Sequence, residues 1–141
     1  MAKKHPRHED GFPRLETFTD CCGRNRQFTI ELRTTPGGYF LTGKEAGKPP
    51  GGYEFGAYAE ADPYIALGRL RDKIRKGLST RYLIIQNGRR LPSHNVLKGH
   101  VSYGGFVIDG EFVPFDEFVA MVQTFEGHQF SLQLADPFDA I

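Results

Sequence analysis

Two cysteines stand side by side, Cys21 and Cys22, in a chain that also carries five histidines. Thiolate and imidazole are the side chains zinc prefers, but a structural zinc site takes four ligands, usually as two spaced pairs. His5, His8, His94, His100 and His128 stand at no such spacing from each other or from the cysteines. No metal and no cofactor is therefore expected, and an adjacent pair is no disulfide framework. The other concentration of reactive groups is "IDGEFVPFDEF", with Asp109, Glu111, Asp116 and Glu117. Carboxylates so close together could bind a cation or share a proton. Structural roles account for them more simply. Asp-Gly is a preferred pair for a type I′ hairpin turn, and Asp116 and Glu117 fall in the first turn of a helix pattern, where negative charge is favourable. The chain has no phosphate-binding glycine loop, no G-x-S-x-G and no H-E-x-x-H, so no catalytic residue is assigned and no enzymatic activity is expected.

Charge is segregated along the chain. Residues 1–65 hold nine basic and nine acidic side chains; residues 66–100 hold nine basic against Asp72 alone; residues 101–141 hold seven acidic and no Lys or Arg. A formal net charge of +1 thus conceals a segment of +8 followed by one of −7. The basic segment opens with "LGRLRDKIRKGLSTR". Arg69, Lys73 and Lys76 fall opposite its apolar stripe, Arg71 and Arg75 on the shoulder, and Arg81, Arg89, Arg90 and Lys98 follow. Three partners suit such a surface. Water is the first, since Lys and Arg stems cover apolar area while their heads stay solvated. Phosphates are the second: the basic side chains would set a salt-dependent affinity for nucleic acid, with bases stacking on exposed aromatics among Tyr39, Phe40, Tyr53, Phe55 and Tyr58. The third is an acidic protein surface, either this chain's own residues 101–141 or those of a second copy.

These residues need elements to carry them. At 39% hydrophobic and 13% aromatic residues, the 141-residue chain can bury a core of its own. Seventeen Gly and nine Pro imply many short elements. "FTIELRT" alternates Phe28, Ile30 and Leu32 with Thr29, Glu31 and Arg33, the pattern of a half-buried strand. "TPGG" turns the chain into a second strand, "YFLTG"; "GKEAGKPPGG" is a loop, and "YEFGAYA" a third strand. Asp62 then caps a helix with Pro63 in its first position. Tyr64, Leu67, Leu70, Ile74 and Leu78 form its buried stripe, and Gly77 is expected to stop it. "RYLIIQNGRRL" predicts a buried strand at 82–85 and an Asn87-Gly88 turn. "HVSYGGFVIDGEFV" predicts strands with a second turn at Asp109-Gly110. "PFDEFVAMVQTFEG" predicts a second helix burying Phe115, Phe118, Val119, Val122 and Phe125, and "FSLQL" a closing strand. Residues 1–20 lack period and read as a flexible tail ahead of a single α+β domain, 21–141, with pseudo-halves at 27–92 and 97–136. The expected fold is mainly antiparallel sheet with two helices packed on one face, in the order β-β-β-α-β, then β-hairpin-α-β.

The segments "FTIELRTTPGGYFLTG", "GYEFGAYAEADPYIALGRLRDKIRKGLS" and "VIDGEFVPFDEFVAMVQTFEGHQFSLQL" resemble an uncharacterised prokaryotic domain family over most of residues 28–134. That resemblance implies no catalytic residue. Some relatives carry a Cys-pair zinc element upstream, of which "CC" is what stands here. The first half is also distantly similar to HicB-type antitoxins, which implies a toxin-like protein partner.

The expected function is a non-catalytic binding or regulatory module. It would engage a protein partner, a second copy included, through Arg69, Lys73, Lys76, Arg89 and Arg90 on the basic side and Glu111, Asp116 and Glu117 on the acidic side. The alternatives are a nucleic-acid binder using the same helix with Arg71 and Arg75, and an antitoxin-like or immunity-type inhibitor. No apolar run approaches the roughly 20 residues of a membrane span, and the N-terminus has no apolar core of a secretory signal. Both point to the cytoplasm.

Overall fold

Alternation in residues 25–35 sets the first sheet. Arg26, Phe28, Ile30 and Leu32 share one face of strand β2 (Asn25–Thr35), and the register with β3 (Gly38–Glu45) puts Glu45, Gly43 and Leu41 opposite the last three of them. β1 (Leu15–Thr19) and β4 (Glu54–Ala59) complete an antiparallel sheet in the order β1-β2-β3-β4. The computed structural model describes residues 12–139. The segment expected as a tail is thus partly ordered sheet: Phe12 is buried, and Leu15–Thr19 pair with Asn25–Thr29. Its short strand is polar on one side and escaped a hydrophobicity criterion. The rest of that tail, with His5 and His8, lies outside the described residues.

Helix α1 (Pro63–Leu78) covers one face of this sheet, against β3 and β4. Asp62 accepts the Tyr64 N–H at 2.7 Å, and Pro63 occupies the first turn. Leu67, Leu70, Ile74 and Leu78 are buried against Phe28, Ile30, Leu41 and Ala57, each contributing roughly 1.5–3 kcal/mol of transfer free energy. Tyr64, expected in that stripe, is half exposed instead, with its ring 5.1 Å from that of Phe12. Gly77 does not end the helix, which runs on to Leu78 and is capped by Ser79. Its role is steric: a Cβ there would lie 2.4 Å from the Phe55 ring. Gly77→Ala should accordingly destabilise the protein by about 1–3 kcal/mol. Gly68→Ala, on the exposed side with nothing within 4 Å, should stabilise it by about 0.5–1 kcal/mol, the ordinary helix gain. Urea midpoints of the two variants should shift in opposite directions, and Phe55→Leu should relieve the first.

The remaining strands form two antiparallel sheets: β5 (Leu83–Gln86) with β6 (Arg89–Pro92), and β7 (Gly99–Ser102), β8 (Gly105–Ile108) and β9 (Glu111–Pro114) in that order. Asn87 and Asp109 take φ of 54° and 56°, each followed by a glycine at positive φ, as type I′ turns require. Helix α2 (Phe115–Gln123) packs on β8, β9 and β6. The whole is α+β with antiparallel pairing throughout the described residues, in the expected order of strands and helices.

Buried apolar residues fall into two clusters. One runs from Phe12 to Leu78; the other gathers Leu83, Ile108, Val113 and Met121. The division lies between Leu78 and Leu83, so the β5–β6 hairpin packs with the second half and not, as 27–92 would have it, with the first. Three expected burials also fail. β5 buries Leu83 while Ile84 and Ile85 are exposed: among the described residues nothing covers the Ile84 face, and the cover over Leu83 does not reach Ile85 on the same face. α2 is too short to lay its whole stripe on a three-stranded sheet. It buries Met121 and half-buries Phe118, leaving Phe115, Val119 and Val122 exposed. "FSLQL" has the alternation of a strand but no neighbour to pair with among the described residues, and residues 128–136 are exposed and form no helix or strand.

Candidate functional site

The basic and acidic segments meet inside the chain. Arg90 on β6 donates to Glu117 on α2 through Nε (2.8 Å) and Nη2 (2.7 Å), to Glu111 on β9 at 3.2 Å, and to the Phe112 carbonyl at 2.9 Å. Arg81, just before β5, donates to the other Glu111 oxygen at 2.9 Å. A planar fork suits paired carboxylates in this way. Burial alone would raise the Glu111 carboxyl; hydrogen bonds from Arg81 and Arg90 outweigh it and hold the group below its ordinary value. Glu117 is held low chiefly by its hydrogen bonds with Arg90. Of the expected acidic residues, Asp116 alone takes no basic partner among the described residues. It stays exposed and accepts the Glu117 N–H at 2.9 Å.

The basic residues of α1 divide differently. Arg69 donates to the Tyr58 carbonyl at 2.8 Å. Lys73 reaches past the edge of β4 to the carbonyls of Gly56 (2.7 Å), Pro137 (3.1 Å) and Asp139 (2.5 Å), fastening the C-terminal residues to the sheet. Burial pushes its ammonium below the ordinary lysine value, against the pull of Asp139 and Asp136. Arg71 is paired with Glu16 of β1, and Arg75 stands over the Phe18 ring at 5.6 Å with Asp72 at 3.7 Å. Lys76 and Arg89 are exposed, with no charged partner among the described residues. The expected basic set is therefore not one patch: Arg69 and Lys73 hold backbone, Arg90 holds carboxylates, and Lys76 and Arg89 face solvent. The aromatics do not form a stacking platform beside the helix either. Phe55 and Tyr53 pack toward the core, while Phe40 and Tyr58 pack on each other (4.7 Å) on the opposite face, where Phe138 covers Phe40 edge-on.

Two polar centres were invisible as centres in the sequence. Arg26 donates to Asp20 (2.8 Å) and Glu45 (2.9 Å), all three side chains being nearly buried. The clue is phase: Arg26 alternates with Phe28, Ile30 and Leu32, and Glu45 with Gly43 and Leu41. Asp20 also accepts the N–H groups of Cys22 and Arg24 at 2.9 Å each. Asp109 is the second centre. Read as a turn residue, it is buried as well, accepting the Tyr82 N–H with both oxygens (3.0 and 2.9 Å) and the Leu83 N–H at 2.8 Å, with Arg81 4.0 Å away. No sequence signal marks it beyond the Asp-Gly pair. Its neighbour Gly110 accepts the Gly52 N–H at 2.7 Å, joining the two halves.

Cys21 and Cys22 are exposed free thiols at the Asp20–Gly23 turn. Partial desolvation, Cys22 and Asp20 push the Cys21 thiol above its ordinary value, the opposite of an activated nucleophile. The groove beside them, between β1 and α1, is lined by Glu16, Phe18, Asp20, Arg71 and Arg75. Its acids and bases are matched by the pairs just described. Among the described residues no three His, Cys, Asp or Glu side chains come together in a way that could hold a metal ion. No helix there is long and apolar enough to cross a membrane.

Besides charged residues such as Arg89 and Asp116, the second half exposes large apolar side chains, among them Ile84, Ile85, Phe115, Val119 and Val122, and, on the segment after α2, Phe130, Leu132 and Leu134. Against known families, residues 10–79 match the model described as Domain of unknown function (DUF7686), and residues 82–139 the one described as Domain of unknown function (DUF7713). The expected likeness to an uncharacterised family thus resolves into two models in tandem, and their boundary coincides with the gap between the two hydrophobic clusters. No curated protein and no solved structure matches the chain.

Proposed function

We propose that the chain is a non-catalytic binding or regulatory module that engages a protein partner, a second copy of itself included. The observation that carries this reading is α2, an amphipathic helix whose apolar residues Phe115, Val119 and Val122 face solvent. Single exposed apolar residues are commonplace, but a run of them on one helix, in a half that also exposes Ile84, Ile85 and the apolar residues of 130–134, is the composition of an interaction surface. The charged residues have a smaller part in it than their number implies, since Arg90, Glu111 and Glu117 neutralise one another within the chain. Lys76, Arg89 and Asp116 remain to steer an approaching partner. An antitoxin-like or immunity-type inhibitor in the cytoplasm of a prokaryote is one form such a module would take.

Val119→Glu tests the reading. The side chain is 60% exposed, so the fold should lose no more than about 0.5 kcal/mol. Association with the partner should fall at least tenfold, as a charge set into a desolvated contact costs on the order of 1.4 kcal/mol or more. Unchanged association would remove α2 as the surface. The nucleic-acid alternative rests on Lys76 and Arg89 and is tested separately. Binding to DNA or RNA should then weaken steeply with salt, and the Lys76→Glu/Arg89→Glu variant should lose it on every sequence. No binding at low salt would dismiss it.

A further inference from the structure

Residues 129–135, "QFSLQLA", have the chemistry of a strand and the surroundings of none. Phe130, Leu132 and Leu134 alternate with Ser131 and Gln133; the segment has no charge and no proline, and Pro137 follows it. The three apolar side chains are 91%, 74% and 72% exposed. Among the described residues no N–H or C=O of 129–135 takes part in a hydrogen bond. Both ends are nonetheless fixed. Upstream, the His128 N–H bonds the Phe125 carbonyl at 2.8 Å; downstream, Lys73 holds Pro137 and Asp139, and Phe138 packs on Phe40. Natural proteins blunt exposed strand edges with charge, proline or a cover; this one is held out with both edges bare.

We propose that the occupant is the same segment of a second copy, paired antiparallel about a two-fold axis through Leu132. The proposal rests on the protein-binding reading above and names the partner. The sequence is self-complementary in that one register. Leu132 stands opposite its own counterpart, Phe130 opposite Leu134, and Ser131 opposite Gln133. His128 falls opposite Asp136, so each end of the ribbon carries a pair that attracts when the imidazole is protonated. A shift of register by two residues toward either end loses that match. Contacts of this isologous kind are what a two-fold dimer needs. The ribbon would show the apolar side chains of both copies on one face. Two strands alone are marginal in water, and the exposed apolar residues of α2 provide the cover, bringing six large apolar side chains per copy to the contact: Phe115, Val119, Val122, Phe130, Leu132 and Leu134.

The test uses the full chain with Cys21 and Cys22 changed to serine. Sedimentation equilibrium should show a concentration-dependent doubling of mass. Leu132→Lys sets two like charges directly opposite one another and should weaken the dimer at least tenfold, with an unchanged circular dichroism spectrum. Under mild oxidation Leu132→Cys should form an intermolecular disulfide on its own. Phe130→Cys and Leu134→Cys should do so only when mixed with each other. A chain that stays monomeric at every soluble concentration, or cysteines that cross-link equally at all three positions, would overturn the proposal. The wider reading fails separately, when Val119→Glu leaves association with every protein partner unchanged. A monomer that binds a different protein through α2 overturns the self-pairing and keeps that reading.

Discussion

Arg26→Ala should lower the stability of the chain by about 3–5 kcal/mol, the cost of leaving a buried charge without its partner. The arginine lies on the core-facing side of β2, bonded to Asp20 and Glu45, whose side chains are 5% and 3% exposed. Removing the cation strands Glu45 beside Phe28, its partner in the strand register. Arg26→Met with Glu45→Gln should cost less than Arg26→Ala, since of the two carboxylates only Asp20, still held by the Cys22 and Arg24 N–H groups, is left without the cation; the Arg26–Glu45 coupling is read from the cycle of Arg26→Met, Glu45→Gln and the two together. A pH dependence follows. Burial would raise the Asp20 carboxyl, but hydrogen bonds from Arg26 and from the Arg24 and Cys22 N–H groups hold it below its ordinary value. A carboxyl lowered by folding contributes stability above its unfolded pKa, about 3.9 for Asp, and that contribution is lost as pH falls through the lower folded value. Glu111 and Glu117 are lowered too and act in the same direction. The wild type should therefore lose stability toward acid, and Arg26→Ala, by removing a cause of the lowered Asp20 carboxyl, should make Asp20's share of that loss smaller. Urea titrations at a series of pH values would show both; an Arg26→Ala midpoint within error of the wild type would refute the argument.

Asp109→Ala should be nearly as damaging, at about 3 kcal/mol. Two backbone N–H groups lose a charged acceptor, each such bond being worth about 1.5–3 kcal/mol, and alanine resists the φ of 56° at that position. Asp109→Asn keeps an acceptor and tolerates the left-handed turn, so it should cost roughly half as much by the same bond energies. Amide exchange gives the local readout. Tyr82 and Leu83 should exchange faster in the alanine variant even when the sample is corrected for global unfolding. Equal losses for Ala and Asn would mean that the charge, and not the turn, carries the effect.

Strand and helix positions were legible where periodicity is strong. β2, β3, β4 and α1 follow from alternation, from the Asp62-Pro63 start and from the spacing of Leu67, Leu70, Ile74 and Leu78. The two type I′ turns follow from Asn-Gly and Asp-Gly. Periodicity reports which side chains share a face, not whether anything covers that face. Ile84, Ile85, Val119 and Val122 therefore read as core and lie at the surface, and Phe130 to Leu134 read as a paired strand and lie alone. Charge misled in a similar way. Counting located a basic run and an acidic run, but counting is blind to which arginine meets a carboxylate, which meets a carbonyl and which meets water. Asp20, Arg26, Glu45 and Asp109, ionic groups that lie nearly buried among the described residues, stood outside both runs of interest or were assigned to a turn. Glu45 and Asp109 take their role from neighbours 19 and 27 positions away, Arg26 and Tyr82, while Asp20 meets Arg26 across the six positions of a turn.

The contact at which the Gly52 N–H meets the Gly110 carbonyl has a consequence for how such a chain changes over time. A Cβ on Gly51 would lie 3.0 Å from that same carbonyl, and one on Gly110 would lie 2.9 Å from the Tyr53 ring. This part of the joint is made of main chain, which every sequence supplies, and of the room that missing side chains leave. Selection would then act on a few small residues and leave the rest of each half free to drift, so that halves from divergent relatives should still dock when fused.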